Sequence, residues 1–271
     1  MTKRLSRWID VIGKYQFRPA EVDPIIVLGN QKSGTSAIAS LLAKATGMSF
    51  VIDIPEFWGD KFKRLHAGQS SLVSAIRACY RQFSLDLVKE PNLTFLFPEL
   101  QRVLPRAKFV FIVRDPTQNV RSIAERLKFS QNDLMAGSER AQSLSEGWRG
   151  VFDDPYLYGP DSIHRTCGEI LAIRWKVAAR VFLRSPDEFK LIRFEDFVSN
   201  KVGSIKQLAD RLDLEVKYDI SSQIDIAFQP AGKQRLVVPD RLVATFPEIL
   251  GAEAAQLGYA VAPAVHRARS A

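Results

Sequence analysis

The chain has 271 residues, 46% hydrophobic and 25% charged, an ordinary globular composition with length for one large core or two modest ones. Its apolar runs fall far short of the ~20 residues of a membrane span, and the basic opening MTKRLSRWIDVIGKYQFRP lacks the apolar stretch of a secretory signal. A net charge of +8 favours an anionic ligand, while the absence of helix-turn-helix, zinc-finger and RNP signatures argues against specific nucleic-acid binding.

Residues 1–23 read as an N-terminal extension, 24–261 as a single α/β domain and 262–271 as a frayed tail. Three β-branched or aromatic runs predict buried parallel strands: PIIVLGN (24–30), KFVFIVR (108–114) and FKLIRFE (189–195). Each precedes an amphipathic helix, with Ile38, Leu41, Leu42 and Ala45 after the first. Val120, Ile123, Ala124 and Leu127 follow the second, and Ile205, Leu208, Ala209 and Leu212 the third. Strand then helix, three times over, predicts an α/β fold around a mainly parallel sheet. A longer, well-buried helix is expected over Cys167 to Leu183, and Ser130–His164 reads as a long functional or mobile segment. Cys79 and Cys167 lie in no metal-ligand spacing and read as small buried hydrophobes of a reducing, cytoplasmic compartment; no metal site is expected.

GNQKSGTSAI (29–38) joins the first strand to its helix. A small-residue loop there aims free N–H groups and the helix dipole at one point, which makes an anion site. Ser33, Gly34, Thr35 and Ser36 supply close backbone approach and hydroxyls, and Lys32 a full charge. The ATP-type loop places its lysine after the last glycine and uses the next hydroxyl for Mg²⁺; here Lys32 comes before Gly34, which fits a metal-free phosphate cradle better. FVFIVRDPTQNVRS supplies a second pocket. Asp115 and Pro116 read as helix cap and first helical residue, and Arg114 and Ser122 face one spot. Two such pockets on two strand ends imply a ligand with two separated phosphates.

This combination resembles the 3′-phosphoadenylyl-sulfate (PAPS)-dependent sulfotransferase family, in a bacterial or carbohydrate-type form. QKSGTSAI (31–38) is similar to the family's 5′-phosphosulfate loop, and Arg114 with Ser122, eight residues on, to its 3′-phosphate site. Softer matches are KEP (89–91), resembling a Lys-x-Pro ahead of the second strand, and IRFEDFVSNKVGSIKQLADRLDLE, resembling the YEDL strand and its helix. AGKQR (231–235) resembles the late basic loop, and ILGAEAAQLGY the C-terminal helix. Ala37 departs from the aromatic of many soluble members, and the catalytic histidine of those members has no clear counterpart.

The resemblance implies a three-layer, P-loop NTPase-like sulfotransferase architecture. It also implies PAPS as donor, adenosine 3′,5′-bisphosphate (PAP) as product, no metal, and a hydroxyl or amine acceptor such as a glycan. Lys32 is then expected to stabilise the departing phosphate oxygen and Lys89 to hold the sulfuryl group, with Lys233 and Arg235 on the 3′-phosphate. For the base, Glu56 beside Phe57 and Trp58 comes first, then His66, which has no evident orienting carboxylate in sequence. Glu90 reads as paired with basic neighbours, and RFED (193–196) as a strand end capping the next helix. A P-loop kinase or NTPase, with Asp115 as Mg²⁺ ligand, and a non-catalytic anion or nucleic-acid binder are the alternatives.

Overall fold

The computed structural model describes residues 13–14, 16–159, 164–224 and 235–261. The three expected strands form, as β1 (Ile25–Gly29), β4 (Lys108–Val113) and β5 (Phe189–Arg193). Two shorter ones join them, β2 (Phe50–Ile52) and β3 (Leu87–Lys89). All five pair in parallel in the order β2-β3-β1-β4-β5. KEP therefore ends the third strand rather than preceding the second.

Every residue of β1 is buried, because helices cover both faces of the sheet. The two-residue period of a strand divides the core. Ile25, Val27, Val110 and Ile112 face α1 (Thr35–Thr46), which brings Ile38 and Leu42, and α5 (Lys201–Arg211), which brings Ile205 and Leu208. Ile26, Leu28, Phe109 and Phe111 face the opposite layer. That layer holds α3 (Pro116–Leu127), α4 (Cys167–Arg184) and α6 (Phe246–Gln256). Each such aliphatic or aromatic side chain contributes roughly 1.5–3 kcal/mol on burial. Cys79 and Cys167 are both buried free thiols within this core. Phe17, from the 1–23 stretch, joins it as well.

Helix ends are fixed by local chemistry. Asp115 caps α3 by accepting from the Gln118 N–H at 2.8 Å, with Pro116 at the first helical position. Thr166 and Glu169 close a capping box at the start of α4. The 130–164 segment, in its described part, is built of short helices, including Gln131–Met135 and Pro155–Tyr158. α2 (Gly59–His66) packs beside them. No helix among the described residues is long and apolar enough to cross a membrane. The 262–271 tail lies outside the described residues.

After β1 the chain crosses to β2 on one side, whereas β4 lies on the other. The crevice beyond the carboxyl ends of β1 and β4 is therefore where an open parallel sheet takes its ligands.

Candidate active site

The loop leaving β1 is held from several sides. Gly29 has φ +132°, and a Cβ there would stand 2.3 Å from the Ile112 carbonyl of β4, so only glycine fits. Its N–H donates to Thr94 Oγ1 at 2.9 Å. Asn119 of α3 donates to the Gln31 carbonyl at 2.8 Å and to Ser33 Oγ at 3.0 Å, and its own Oδ1 accepts from Asn30 at 2.9 Å. The Ser33 hydroxyl is thus buried against α3. Thr35 is also buried, and Ser36 is half-buried.

Arg114 crosses from the end of β4 to this loop. Its Nη1 donates to the Lys32 carbonyl at 3.0 Å, holding Lys32 in a left-handed conformation at φ +64° that non-glycine residues seldom adopt. Its guanidinium lies 4.4 Å from the centre of the Phe194 ring. The same ring would collide with any Cβ on Gly34, whose φ is +93°. The Arg114 main chain is pinned too: its carbonyl accepts from Trp175 Nε1 at 2.8 Å, and the next N–H, of Asp115, donates to Glu195 at 2.8 Å. The second Glu195 oxygen accepts from the Tyr259 hydroxyl at 2.9 Å. Glu195, two residues past β5, therefore ties this strand end to the start of α3 and to the segment after α6, whereas RFED is expected from sequence to cap the next helix; that helix has no side-chain cap hydrogen bond.

The two expected anion pockets are thereby brought together. Burial, then the fields of Arg126 and Arg114, push the Lys32 ammonium below its ordinary pKa, with Lys89 adding to the effect and Glu125 opposing it. Burial likewise lowers Arg114, against Glu195 and with Arg121. Among the described residues, Arg114 Nε is buried without a hydrogen-bond partner. A crowd of cations, one with an orphan donor, is relieved by an anion. Ser122 lies half-buried on α3. Arg235 is exposed, and Lys233 falls outside the described residues.

The acceptor-side candidates separate. Lys89 is buried at the end of β3 and pairs with Asp53, itself left-handed at φ +62°. Glu90 is fully buried and takes N–H donors from Ile54 at 2.8 Å, Trp58 Nε1 at 3.0 Å and Asn92 at 3.0 Å, so its partners are not the basic neighbours the sequence implied. Burial pushes its carboxyl up to about 7, against the pull of Lys89. Glu56 turns to the Cys79 thiol, with Lys61 and Lys14 nearby, a different set of neighbours from those of Lys32. His66 does have an orienting carboxylate, 88 residues away in sequence: its Nδ1 lies 3.0 Å from Oδ2 of the buried Asp154. Asp154 is locked in turn by the N–H groups of Tyr156 and Leu157 on its other oxygen, at 3.1 and 3.2 Å.

A family model described as "Sulfotransferase family" matches residues 53–218, more than half of the chain. The chain belongs to the sulfotransferase family. Among solved structures, a sulfotransferase from Alicyclobacillus acidocaldarius is 15% identical with a TM-score of 0.52, covering 88% of this chain and 96% of that one, which shows a shared fold. Sulfotransferase STF1 from Mycobacterium tuberculosis H37Rv matches at 13% identity and TM-score 0.49, over 89% and 82% of the two chains. A sulfotransferase domain from the curacin biosynthetic pathway matches at 14% and 0.45, over 88% and 98%. No curated protein matches the sequence.

The family match begins after the 29–38 loop, so the roles of that loop rest on its geometry. Several residues of this sulfotransferase's site escaped the sequence reading: Gln31, Asn92, Arg174, Glu195 and Tyr259. Arg174 had one visible signal, a charge set directly between the apolar Ile173 and Trp175 of α4.

Proposed function

We propose that this sulfotransferase moves a sulfuryl group from PAPS to a hydroxyl or amine acceptor, a glycan or small molecule, releasing PAP. The observation that carries the reading is the convergence of Lys32 and Arg114 on one loop, with Arg114 Nε buried and, among the described residues, without a hydrogen-bond partner. These groups fit an adenosine carrying separated 5′ and 3′ anions. When bound, PAPS supplies an activated sulfuryl group on a phosphate leaving group.

In this reading the loop amides, with the hydroxyls of Thr35 and Ser36, hold the 5′-phosphate, while the Ser33 hydroxyl, engaged by Asn119, steadies the loop rather than meeting the ligand. Lys32 neutralises charge on the departing phosphate oxygen, a preorganised contribution that costs no reorganisation during the step. Arg114 and Ser122 hold the 3′-phosphate, Lys233 and Arg235 are further candidate ligands by the family resemblance, and Lys89 orients the sulfuryl group. The acceptor's proton goes to a base as its oxygen or nitrogen attacks in line. We assign that role to His66 ahead of Glu56, because Asp154 holds Nδ1–H and leaves Nε2 as the proton-accepting atom. The Mg·ATP alternative needs Asp115 as a metal ligand, yet its carboxylate is engaged in capping α3.

Transfer from ³⁵S-labelled PAPS across a panel of acceptors tests the proposal. Lys32→Ala is expected to cut transfer by about 10²-fold, the scale of losing one oxyanion stabiliser. Full activity in that variant would remove Lys32 from the mechanism. His66→Ala at undiminished rate would return the base role to Glu56.

A further inference from the structure

Arg174 lies mid-way along α4 and is fully buried. Buried arginines are ordinarily paired with carboxylates. Here the hydrogen-bond partners are three neutral oxygens: Nε donates to Gln31 Oε1 at 2.9 Å, Nη2 to Asn92 Oδ1 at 2.7 Å and Nη1 to the Tyr158 hydroxyl at 3.1 Å. The Phe95 ring covers the guanidinium, 4.3 Å from its centre. Gln31 Nε2 closes the ring by donating to Asn92 Oδ1 at 2.8 Å. A guanidinium only donates, so it dictates which way both amides point. Asn92 then has its Nδ2 free to donate to the Phe57 carbonyl at 2.8 Å.

The three partners belong to three different parts of the site. Gln31 is the residue before Lys32 in the anion loop. Asn92 follows the Lys89–Glu90 strand end and shares Glu90 through its N–H. Tyr158 ends the turn whose first residue, Asp154, orients His66. One rigid planar fork thus joins the loop, the β3 end and the turn whose Asp154 orients His66.

We infer that Arg174 is a positioning residue for sulfuryl transfer: it fixes the anion loop through Gln31 and sets it in register with the 154–158 turn through Tyr158. Lysine cannot replace it, since one ammonium on a flexible stem cannot meet three acceptors in a plane. Among the described residues no carboxylate pairs with this charge, which also favours anion binding on the neighbouring loop. Only the ligand-binding part of this inference rests on the PAPS reading.

Two measurements test it on the full chain. First, hydrogen exchange of the ligand-free protein: Arg174→Lys and Gln31→Ala are each expected to speed exchange in 29–38 about tenfold, with β4 unchanged. Unaltered exchange in 29–38, or equal acceleration throughout the sheet, overturns the inference, the latter because it marks a merely structural role. Should Arg174→Lys fail to fold, Gln31→Ala decides the same question from the loop side. Second, PAP titrated into wild type, the two single variants and the double: each single is expected to weaken binding about tenfold and the double no further, because both cut one linkage. Additive losses overturn it. If wild type binds no PAP, the donor reading fails, while the exchange data still decide the role of Arg174.

Discussion

Lys32 and Arg114 hold each other in states that neither would adopt alone. The lysine backbone is left-handed because its carbonyl is tied to the Arg114 guanidinium, and its ammonium is disfavoured by burial and by the same arginine. A bound anion reverses the second effect, so ligand binding returns Lys32 towards its ordinary pKa. Glu90 shows the opposite imbalance. Its carboxyl stays protonated up to about 7 because it is fully buried, whereas an ordinary Glu of pKa 4.5 ionises once the chain unfolds. Between those values the folded chain holds the extra proton, so stability falls as pH rises through that window. The loss is roughly 3 kcal/mol at one pKa unit per 1.36 kcal/mol. Urea midpoints of wild type and Glu90→Gln should therefore converge or cross between pH 5 and 7, wild type losing ground. Parallel curves would show that Glu90 is ionised throughout.

Strand ends and helix starts do the placing at the next scale. β1 and β4 present Lys32 and Arg114 side by side because their register is fixed from Ile25↔Lys108 to Gly29↔Ile112, leaving both loops at the same edge. The start of α3 then depends on Asp115, and Asp115→Ala should cost about 1 kcal/mol through the lost cap. A Tm lower by roughly 2–4 °C checks this, and an unchanged Tm would mean the Gln118 N–H finds another acceptor. β1 and β4 were legible in the sequence because each is a nearly continuous apolar run of a doubly covered sheet, and β5 because Phe189, Leu191 and Ile192 mark it despite the exposed Lys190. β2 and β3 were not: three residues are too few to show a period, and Val51↔Val88 pairing is non-local. The same holds for His66 and Asp154, whose partnership spans 88 residues.

Over the whole molecule, the strand order sets the crevice beside β1, where the charges of Lys32, Lys89, Arg114, Arg121 and Arg126 act on one another with Glu125 and Glu195 opposing. Both segments proposed to bind anions lie in local sequence, since each is a short stretch at one strand end. What clamps the first of them to the β3 end and the 154–158 turn could not be read there, because Arg174 reaches Gln31, Asn92 and Tyr158 only after α4 has packed across the sheet. The central claim is that this one crevice grips a doubly phosphorylated adenosine without a metal. Thermal unfolding in magnesium-free buffer tests it most directly. PAP at a hundredfold over its Kd should raise Tm by roughly 5–10 °C, the equivalent of about 2.7 kcal/mol, while ATP with magnesium does little. No shift with PAP, alongside a clear rise with Mg·ATP, would contradict the account.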